Sequence, residues 1–480
     1  MSNIMAGLIE SANALNAFDQ VLQVTQNNVA NASTPGFAKQ RLQLTAEPFQ
    51  PPGLLGGVAA GTLENSRNDF AEQAVRREST VLGQQRQLAA SLTSLQSVMD
   101  VSGTNGIPYA LNNFFQSVSA WSQTPSDQAA RQAVISRGAD MAQAIRNASA
   151  ALKGVAQDTD TQTRNTVNQV NELVGQIQGY NHRILQSGSA SYDSGMDASV
   201  HSTLEQLSTY IDFTTMREPD GTTTILLNGS TPLLIGDKQY ALSEALTSPP
   251  SPPALYANAP PKAQLRASDG TDVTAQTTGG QLGALLSVRN SILPSFQGDA
   301  SQVGSLNTLA QGLADLVNQL LTSGNISDGP PPQPGIPLFT YDRASPVSVA
   351  ATLSVDPSVT PGQLAAISPG PPEVSNGVPL ALSQLAKPTD SADEVDGFSL
   401  TQFYGNMAAD VGNQLQQAQN STQVQQSLVA QAQNQRQQIS GVDINEEAMV
   451  AVEFQRAYEA NSRLITVLDQ LTLDTINMLQ

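Results

Sequence analysis

Apolar residues recur every seven positions through the first thirty residues of the chain. One column of this repeat is apolar and consists of Leu8, Leu15, Leu22 and Val29. The other column mixes an aromatic residue with polar ones and consists of Ser11, Phe18 and Thr25. Two such columns are the a and d positions of a coiled coil, so the pattern predicts a helix over residues 2–31. Pro35 and Gly36 follow this segment and are expected to end the helix.

The last segment of the chain, residues 445–479, has a similar repeat. Its first column consists of Phe454, Asn461, Leu468 and Thr475, and its second of Val450, Ala457, Leu464, Leu471 and Met478. Asp443 lies three residues before Glu446, which is the spacing of a capping box at the start of a helix. Because the two terminal helices have matching repeats, we expect them to pack together. The interface predicted for this coiled coil consists of Leu8, Leu15, Phe18, Leu22, Val29, Phe454, Leu464, Leu468 and Leu471.

The long middle of the chain predicts more helices and little sheet. Helical periodicity covers residues 69–101, 112–188, 280–323 and 399–440. Residues 214–242 contain β-branched runs separated by turns at 218–221 and 227–229, which predicts a small β-hairpin unit. Two proline-rich stretches, 248–261 and 329–337, predict extended spacers. The second stretch opens a segment that is short of charge up to residue 387 and is predicted to be β-rich.

These patterns predict a mainly α, discontinuous, multi-domain fold. Residues 1–40 together with 440–480 would form a terminal coiled-coil domain on the inside of an assembly. Residues 41–325 together with 388–439 would form a helical bundle domain, with the β-hairpin unit near 212–262. Residues 326–387 would form a small β-rich insert domain on the outside. An ordinary core helix of a bundle is the alternative interpretation of each heptad segment.

The charge of the chain bears on its partners. It has 41 acidic and 22 basic residues and a net charge of −19, whereas nucleic-acid binding needs clustered Lys and Arg, so no nucleic acid is expected. No stretch reaches the roughly 18 apolar residues of a membrane span, so no membrane insertion is expected.

The absence of cysteine suits an extracellular protein without disulfides. Because no Sec-type signal is recognisable, the chain is expected to be cytoplasmic or exported without a cleaved Sec signal.

The residues that carry chemistry are few and scattered. His182 and His201 each stand alone, without a second His or a carboxylate at metal-ligand spacing. No motif of a hydrolase elbow, a zinc protease, a phosphate loop or a dinucleotide site occurs. The acidic run 443–447 is better explained by helix capping than by calcium binding. We therefore predict no catalytic, cofactor-binding or metal-binding residue, no cofactor and no enzymatic activity.

Two short segments resemble the terminal signatures of a known family. The first, residues 27–37, is an Asn-rich helix end followed by Thr-Pro-Gly and an aromatic residue. Its motif residues are Asn28, Asn31, Thr34, Pro35, Gly36 and Phe37. The second, residues 439–461, contains the motif residues Gly441, Glu446, Glu447 and Tyr458. Found in this order at opposite ends of one chain, the two segments are similar to those of bacterial flagellar rod, hook and hook-associated proteins.

The resemblance implies a structural subunit of the flagellum that assembles with copies of itself. The helical segment 69–188, and residues 114–131 within it, are more similar to the hook-associated members that join hook to filament than to rod or hook proteins. The resemblance also implies type III export and an extracellular location on the flagellum after cytoplasmic synthesis. The partners it implies are the hook protein, a second junction protein of the FlgL type and an export chaperone of the FlgN type. Another axial protein of the rod or hook type and a cytoplasmic coiled-coil scaffold are the alternatives.

Overall fold

The computed structural model describes residues 2–48, 56–99, 105–186, 193–247, 256 and 258–478. Its helices are α1 Ser2–Asn31, α2 Asp69–Val98, α3 Gly106–Gln123, α4 Gln128–Gln186, α5 Ser194–Tyr210, α6 Gly280–Ser287, α7 Leu293–Gln297, α8 Ser305–Ser323, α9 Val349–Thr352, α10 Gly377–Gln384, α11 Leu400–Ser440 and α12 Ile444–Met478. The predicted mainly α fold is confirmed. The predicted helix ends at residues 101, 188 and 479, and most of the proline-rich stretch 248–261, lie outside the described residues.

The strands are short and antiparallel. They are β1 Gln40–Ala46, β2 Val58–Asn65, β3 Phe213–Arg217, β4 Thr223–Leu227, β5 Thr231–Ile235, β6 Lys238–Gln239, β7 Ser243–Thr247, β8 Lys262–Arg266, β9 Asn325–Ser327, β10 Gln333–Pro334, β11 Phe339–Thr340 and β12 Ser354–Val355. The predicted hairpin unit is a four-stranded meander, β3-β4-β5-β6. Its turns contain Gly221, Asn228 and Gly229, all with positive φ, as the turn sequences indicate. The β1–β2 and β7–β8 hairpins were not predicted as strands.

Two predicted helical segments are interrupted, each for a local reason. The segment 112–188 consists of α3 and α4, because Pro125 cannot continue a helix and disfavours helical backbone at Thr124. The carbonyl of Pro125 accepts hydrogen bonds from Trp121 Nε1 (3.2 Å) and Arg131 Nε (2.9 Å), which secure the break. The segment 280–323 consists of α6, α7 and α8, and the loop before α8 contains Gly298 (φ 84°) and Gly304 (φ 85°).

Helix α5 was not predicted, although its sequence carries two signals. The carboxylate of Asp193 accepts hydrogen bonds from the amides of Gly195 and Met196, which makes Asp193 the N-cap of the helix. Val200, Leu204 and Leu207 follow at helical spacing and are buried. Seventeen residues of helix therefore lie where the sequence analysis assigned no element.

Two hydrophobic cores lie along α4, which contributes to both. The first core gathers α3, the first part of α4, α8, α10 and the start of α11, and Trp121 of α3 is fully buried in it. The second core gathers the last part of α4, α5, α6 and the strands β4, β5 and β8. Between them α4 buries polar side chains, and Asp160 pairs with Arg289 at 2.6 Å. Arg289 lies in a single π-helical turn, residues 288–292, which separates α6 from α7.

The segment 325–387 contains small ladders of two or three residues, β9–β10 and β11–β12. Its apolar side chains, among them Leu338, Val349 and Leu382, belong to the first core rather than to a core of their own. Its contacts with the helical body are therefore extensive. The domain boundaries at residues 326 and 387 stay a prediction.

Two antiparallel helix pairs complete the molecule. Helix α11 begins at Ser399 with a capping box to Gln402 and runs back along α2. Gln425 Nε2 donates to the carbonyl of Glu78 at 3.0 Å, and Ser440 Oγ accepts from the amide of Asn68 at 3.1 Å. Helix α1 pairs in the same antiparallel manner with α12. The predicted packing of the two terminal helices is confirmed.

Candidate assembly interface

The α1–α12 pair has a regular series of contacts along its length. The Phe18 and Phe454 rings lie 5.8 Å apart between centroids. Further from the body, Asn461 Nδ2 donates to the carbonyl of Ser11 at 2.7 Å. At the opposite end, Asn28 Nδ2 donates to Glu447 Oε2 at 3.0 Å. Because these partners run in opposite directions along the two helices, the terminal segments form an antiparallel pair.

On α1, one predicted column faces α12 and the other is displaced by one residue. Ser11 and Thr25 are buried and Phe18 is half-buried, as predicted for their column. In the other column the buried positions are Gly7, Val21 and Asn28, each one residue before a predicted apolar position. The predicted Leu8, Leu15 and Leu22 are half-buried, and Val29 is exposed. The displacement arises because α1 packs against the β1–β2 hairpin as well as α12, so its buried face is not set by α12 alone.

On α12, the residues of one predicted column lie along the contact with α1, whereas those of the other become exposed towards the end of the helix. Phe454, Asn461, Leu468 and Thr475 are all half-buried along the pair. The other column begins half-buried at Val450 and Ala457, but Leu464 and Leu471 are exposed, and Ile465 and Thr472 occupy the half-buried positions instead. A straight α-helix drifts about 20° per heptad relative to a strict seven-residue repeat, so a column that starts at the edge of the contact leaves it within a few turns.

The pair leaves an apolar surface uncovered. Most large apolar side chains of α12 are exposed, namely Ile444, Met449, Val452, Tyr458, Leu464, Val467, Leu471, Leu473, Ile476 and Met478. On α1, Met5, Ile9 and Val29 are exposed as well. Large apolar side chains exposed in this number along one helix pair indicate a site of association. We call these side chains the apolar face of the terminal pair.

The terminal pair joins the body at a compact set of contacts that we call the neck, formed by Asn28, Lys39, Gln40, Ser440 and Glu447. The amide of Lys39 donates to the carbonyl of Ser440 at 2.9 Å. The side-chain amide of Asn28 accepts from the Gln40 amide at 2.9 Å and donates to the Gln40 carbonyl at 2.8 Å. Both connections between the body and its terminal helices are therefore fixed at one place.

One buried ion pair closes the neck. Lys39 Nζ lies 3.0 Å from a carboxylate oxygen of Glu447, which is only 2% exposed, and 2.9 Å from one of Glu446. Burial disfavours the charged ammonium, but hydrogen bonds to Glu446 and Glu447 outweigh it and raise the pKa of Lys39. Lys39 therefore stays charged over the whole physiological range. Lys39 was not among the residues that the sequence analysis singled out.

The turn after α1 brings its motif residues against α5. Thr34 Oγ1 donates to Asn31 Oδ1 at 3.1 Å, and the Phe37 amide donates to the Thr34 carbonyl at 3.1 Å. Gly36 has a φ of 77°, and a β-carbon there would collide with the carbonyl oxygen of Ala198 in α5. Only glycine satisfies both conditions without strain. The Thr-Pro-Gly signature therefore permits close approach between the chain leaving α1 and the body.

Beneath this turn lies a second group of charges that sequence analysis missed. We call it the ion network, and it consists of Arg67, Glu72, Asp197, Glu205, Arg217 and Arg436. Arg67 is central, since its guanidinium contacts Glu72 (2.7 Å), Asp197 (2.6 Å) and the carbonyl of Gly36 (2.7 Å). Arg436 of α11 lies 2.7 Å from Glu205 and 3.3 Å from Glu72. The network thus ties the signature turn to α2, α5 and α11.

His201 lies at the edge of the ion network, with Nε2 3.9 Å from Asp197 Oδ1. Burial and the positive charge of Arg67 lower its pKa to about 3, although Asp197 acts in the opposite direction. The imidazole is therefore neutral at physiological pH. The structure gives this histidine a packed position in the body, in keeping with the prediction of a structural rather than a ligand role.

The motif residues divide into those at the neck and those away from it. Glu446 and Glu447 converge on Lys39, and Asn28 bonds Glu447 and the backbone of Gln40. Gly36 lies against α5. Gly441 ends α11, and its amide donates to the Gln437 carbonyl at 2.9 Å. Of the remaining motif residues, Asn31, Thr34, Pro35 and Phe37 form the turn after α1, whereas Tyr458 lies along α12 on the exposed face. No signal in a single sequence links Lys39 or Arg67 to these positions.

Two kinds of feature are absent from the described residues, a metal-binding cluster and a membrane-spanning helix. Among those residues, no cluster of three or more His, Asp or Glu side chains is arranged to hold a metal ion. No helix in the same part of the chain is both long and apolar enough to cross a membrane. The features that remain are the neck, the ion network and the apolar face.

Comparison with known proteins shows which family of proteins this chain is similar to. The model of the "Flagellar hook-associated protein FlgK helical domain" matches residues 92–339, which is more than half of the chain. The model "Flagella basal body rod protein" matches residues 11–37, and "Flagellar basal body rod FlgEFG protein C-terminal" matches residues 433–478. These two matches cover the terminal pair and the neck residues Asn28, Ser440 and Glu447.

Individual relatives agree with the family models. Flagellar hook-associated protein 1 of Bacillus subtilis (strain 168) is 24% identical over 515 aligned positions, covering 99% of each chain. The structure of the flagellar hook junction protein FlgK from Burkholderia pseudomallei is similar in fold, with a TM-score of 0.63 at 16% identity. That similarity covers 76% of this chain and 99% of the other. The chain described here therefore belongs to the FlgK family of flagellar hook-associated proteins.

Proposed function

We propose that this chain is a structural subunit of the bacterial flagellum that forms the junction between hook and filament, and that it assembles through its paired terminal helices. The FlgK family is structural, so the chain is not an enzyme. The observation that carries the proposal is the apolar face of the terminal pair, because a face of this size on a two-helix arm needs a partner to cover it.

The energetics of the pair support assembly rather than independent folding. Fully burying a Leu side chain contributes roughly 1.5–3 kcal/mol, whereas ordering each residue of a helix costs about 1–2 kcal/mol. Along α12 only Glu447 is fully buried, and the other inward positions are half-buried. Neighbouring subunits that cover Leu464 and Leu471 would supply the missing burial. Self-assembly would therefore stabilise the arm that mediates it.

The finer roles follow from the family and are also proposals. Residues 1–40 with 440–480 would form the inner domain of the assembly, with residues 41–325 and 388–439 outside it and residues 326–387 outermost. The partners would be further copies of the chain, the hook protein and a second junction protein of the FlgL type. Before type III export, a chaperone of the FlgN type would cover the apolar face.

The proposal is tested by deletion and complementation in the source bacterium. Loss of the chain should leave cells with hooks but without filaments, and the intact gene should restore filaments. Leu471→Asp puts a charge on the apolar face, and burying an unpaired carboxylate there costs several kcal/mol. We expect this variant to fold and yet fail to restore filaments, whereas the matched control Gln470→Asp, one residue away on the same helix, should restore them.

Three results would contradict the proposal. Normal filaments on the deletion strain would show that the chain is not the junction subunit. A deletion strain that also lacks hooks would favour a rod or hook protein. A chain that stays in the cytoplasm of filamentous cells, absent from sheared flagella, would favour the coiled-coil scaffold.

A further inference from the structure

Helix α11 has an unusual surface. Residues 411–435 contain ten Gln and three Asn and not one Asp, Glu, Lys, Arg or His. The chain as a whole has 63 acidic and basic residues, 41 plus 22, and a net charge of −19. We call the exposed side chains of residues 411–435 the amide face.

Only one narrow stripe of this segment is covered by the rest of the body. The buried residues of the stripe are Val411, Leu415, Ala418, Gln425, Val429 and Ala432, and the main helix they pack against is α2. The remaining side chains are mostly exposed, including two large aliphatic ones, Val424 (60%) and Leu428 (40%). At about 1.5 Å per residue, the uncharged segment is roughly 37 Å long.

Helix α4, which spans 59 residues, has a different surface. The exposed side of α4 presents Arg137, Lys153, Asp158 and Arg164 along its length. Charged side chains are the usual choice for a solvated helix face, because they stay hydrated and keep copies of a protein apart. Helix α3 also lacks charged residues, but it has 18 residues and buries one side in the first core, so α11 presents a longer uncharged surface.

We infer that the amide face is a lateral contact between copies of this chain, an inference that rests on the proposed function as an assembling subunit. Copies that each carry a net charge of −19 repel one another, and this repulsion is least where neither surface is charged. A partner of opposite charge would be recognised better by an acidic surface than by a neutral one. The amide face therefore fits a second copy rather than a basic protein.

Amide side chains also suit contact with a copy for a chemical reason. Each Gln or Asn carries two N–H donors and a carbonyl acceptor, so amides can satisfy the hydrogen bonds of other amides without any other residue type. Buried polar groups need such partners, and an uncharged surface avoids the cost of desolvating ions. An amide-rich surface can therefore pair with an uncharged polar surface on another face of a neighbouring copy.

A groove beside the amide face can receive side chains of a neighbouring copy. It lies between α2 and α11, holds about 600 Å³ and is lined by Val81 and Gln85 on one side and Asn413, Gln417 and Val424 on the other. Its walls combine amides with two valines, the half-buried Val81 and the exposed Val424. Protruding side chains of a neighbouring copy can enter this groove while the amides around it pair with the neighbour's polar groups.

The test uses a photo-crosslinking amino acid, because a ring contact joins two different faces and a probe on α11 need not meet another α11. Benzoylphenylalanine is introduced by amber suppression at Val424 or at Gln431, in cells that carry only the variant chain. A matched control carries it at Gln157, which is exposed on α4. Flagella are sheared from the cells and irradiated, and adducts are identified by mass spectrometry.

We expect adducts with twice the mass of the 50.4 kDa chain from both α11 positions and at least a tenfold lower yield from the α4 control. Incorporation into flagella without such adducts from either α11 position would overturn the inference and leave the proposed function intact. Adducts with a different protein, or equal yields from the control, would overturn it as well. Absence of the unsubstituted chain from sheared flagella would overturn the proposed function and this inference together.

Discussion

A buried carboxylate is tolerated in a protein only when its charge and its hydrogen-bonding capacity are both satisfied. At the neck, Glu447 meets this condition through Lys39 and Asn28, which approach different oxygens of the carboxylate at 3.0 Å each. Glu446 also contacts Lys39, but its side chain is 51% exposed. Two adjacent glutamates of one motif therefore have unequal roles.

This inequality predicts different effects of the same substitution at the two positions. Glu447→Gln removes the buried partner of Lys39 and should destabilise the terminal pair by about 1.5–3 kcal/mol, the usual size of a charge-assisted hydrogen bond. Glu446→Gln is the matched control and should cost less than about 1 kcal/mol, as exposed ion pairs do. Hydrogen exchange of α1 and α12 in assembled flagella, where both helices are expected to be protected, measures both. Equal effects would show that the neck does not depend on the buried pair.

His201 makes the folding stability of the body depend on pH. Its folded pKa of about 3 lies below the ordinary value of 6.5, so the unfolded chain binds a proton more readily between these two pH values. Stability should therefore fall as pH decreases through that window. Between pH 7 and pH 4.5, we expect the urea midpoint of the wild type to drop further than that of His201→Gln, which cannot titrate. Identical pH dependence in the two proteins would contradict this.

At the scale of elements, the terminal helices differ from the body helices in how much they bury. Helix α4 buries residues from Arg131 to Asn181 in two cores, whereas α12 fully buries Glu447 alone. Local stability follows buried apolar contact, so the two kinds of helix should open with very different free energies. Heptad register alone does not reveal this difference.

This difference predicts a contrast in hydrogen exchange. In the isolated monomer, α1 and α12 should exchange fast while α4 is protected, and in assembled flagella all three should be protected. The reason is that neighbouring subunits would cover the apolar face that a single chain leaves in water. Terminal helices as protected as α4 in a verified monomer would instead make them part of an ordinary bundle core.

Helix positions were predictable where periodicity and end signals agreed. The segments 2–31 and 399–440 were predicted to within one residue, because Pro35, Gly36 and the capping Ser399 mark their ends. The break between α3 and α4 was missed as a boundary, since apolar periodicity continues on both sides of Pro125. The displaced column on α1 results from packing against β1–β2, and the exposed column on α12 results from the twist of the helix. A seven-residue repeat in the sequence predicts neither of these effects.

The candidate site was predictable only in part. The motif residues were identified by resemblance, and three of them, Asn28, Glu446 and Glu447, lie at the neck. Their partner Lys39, and Arg67 and Arg436 of the ion network, carry no sequence signal, because they gain their neighbours only when α2, α5 and α11 have packed. A single charged residue in a polar sequence is far more often solvated, and burial is decided by tertiary structure.

At the scale of the whole molecule, one buried charge pair connects two helical segments that each contribute to both cores, α4 and the segment from α6 to α7. Asp160 and Arg289 are 10% and 4% exposed. The π-helical turn around Arg289 directs its guanidinium to α4. The relative orientation of the two cores therefore depends on a pair that is costly to break.

Asp160→Asn should leave the Arg289 guanidinium buried without its counter-charge. We expect a loss of stability of roughly 3–5 kcal/mol, as is usual when one partner of a buried pair is removed. The matched control Asp158→Asn changes an exposed acid two residues away and should stay within about 0.5 kcal/mol of the wild type. Urea unfolding followed by circular dichroism measures both. An Asp160→Asn chain as stable as the control would show that the buried pair does not help to hold the two cores together.

The neck also constrains the order in which the chain can fold. The hydrogen bond from Asn28 to Glu447 joins residues 419 positions apart, and closing a flexible loop of that length directly costs about 5 kcal/mol of chain entropy. Once α2 and α11 have paired, Asn68 and Ser440 are already adjacent, and the remaining loop is only a few tens of residues. The body should therefore fold first and bring the two ends together. A substitution in either core would then slow the pairing of terminal helices that it never touches.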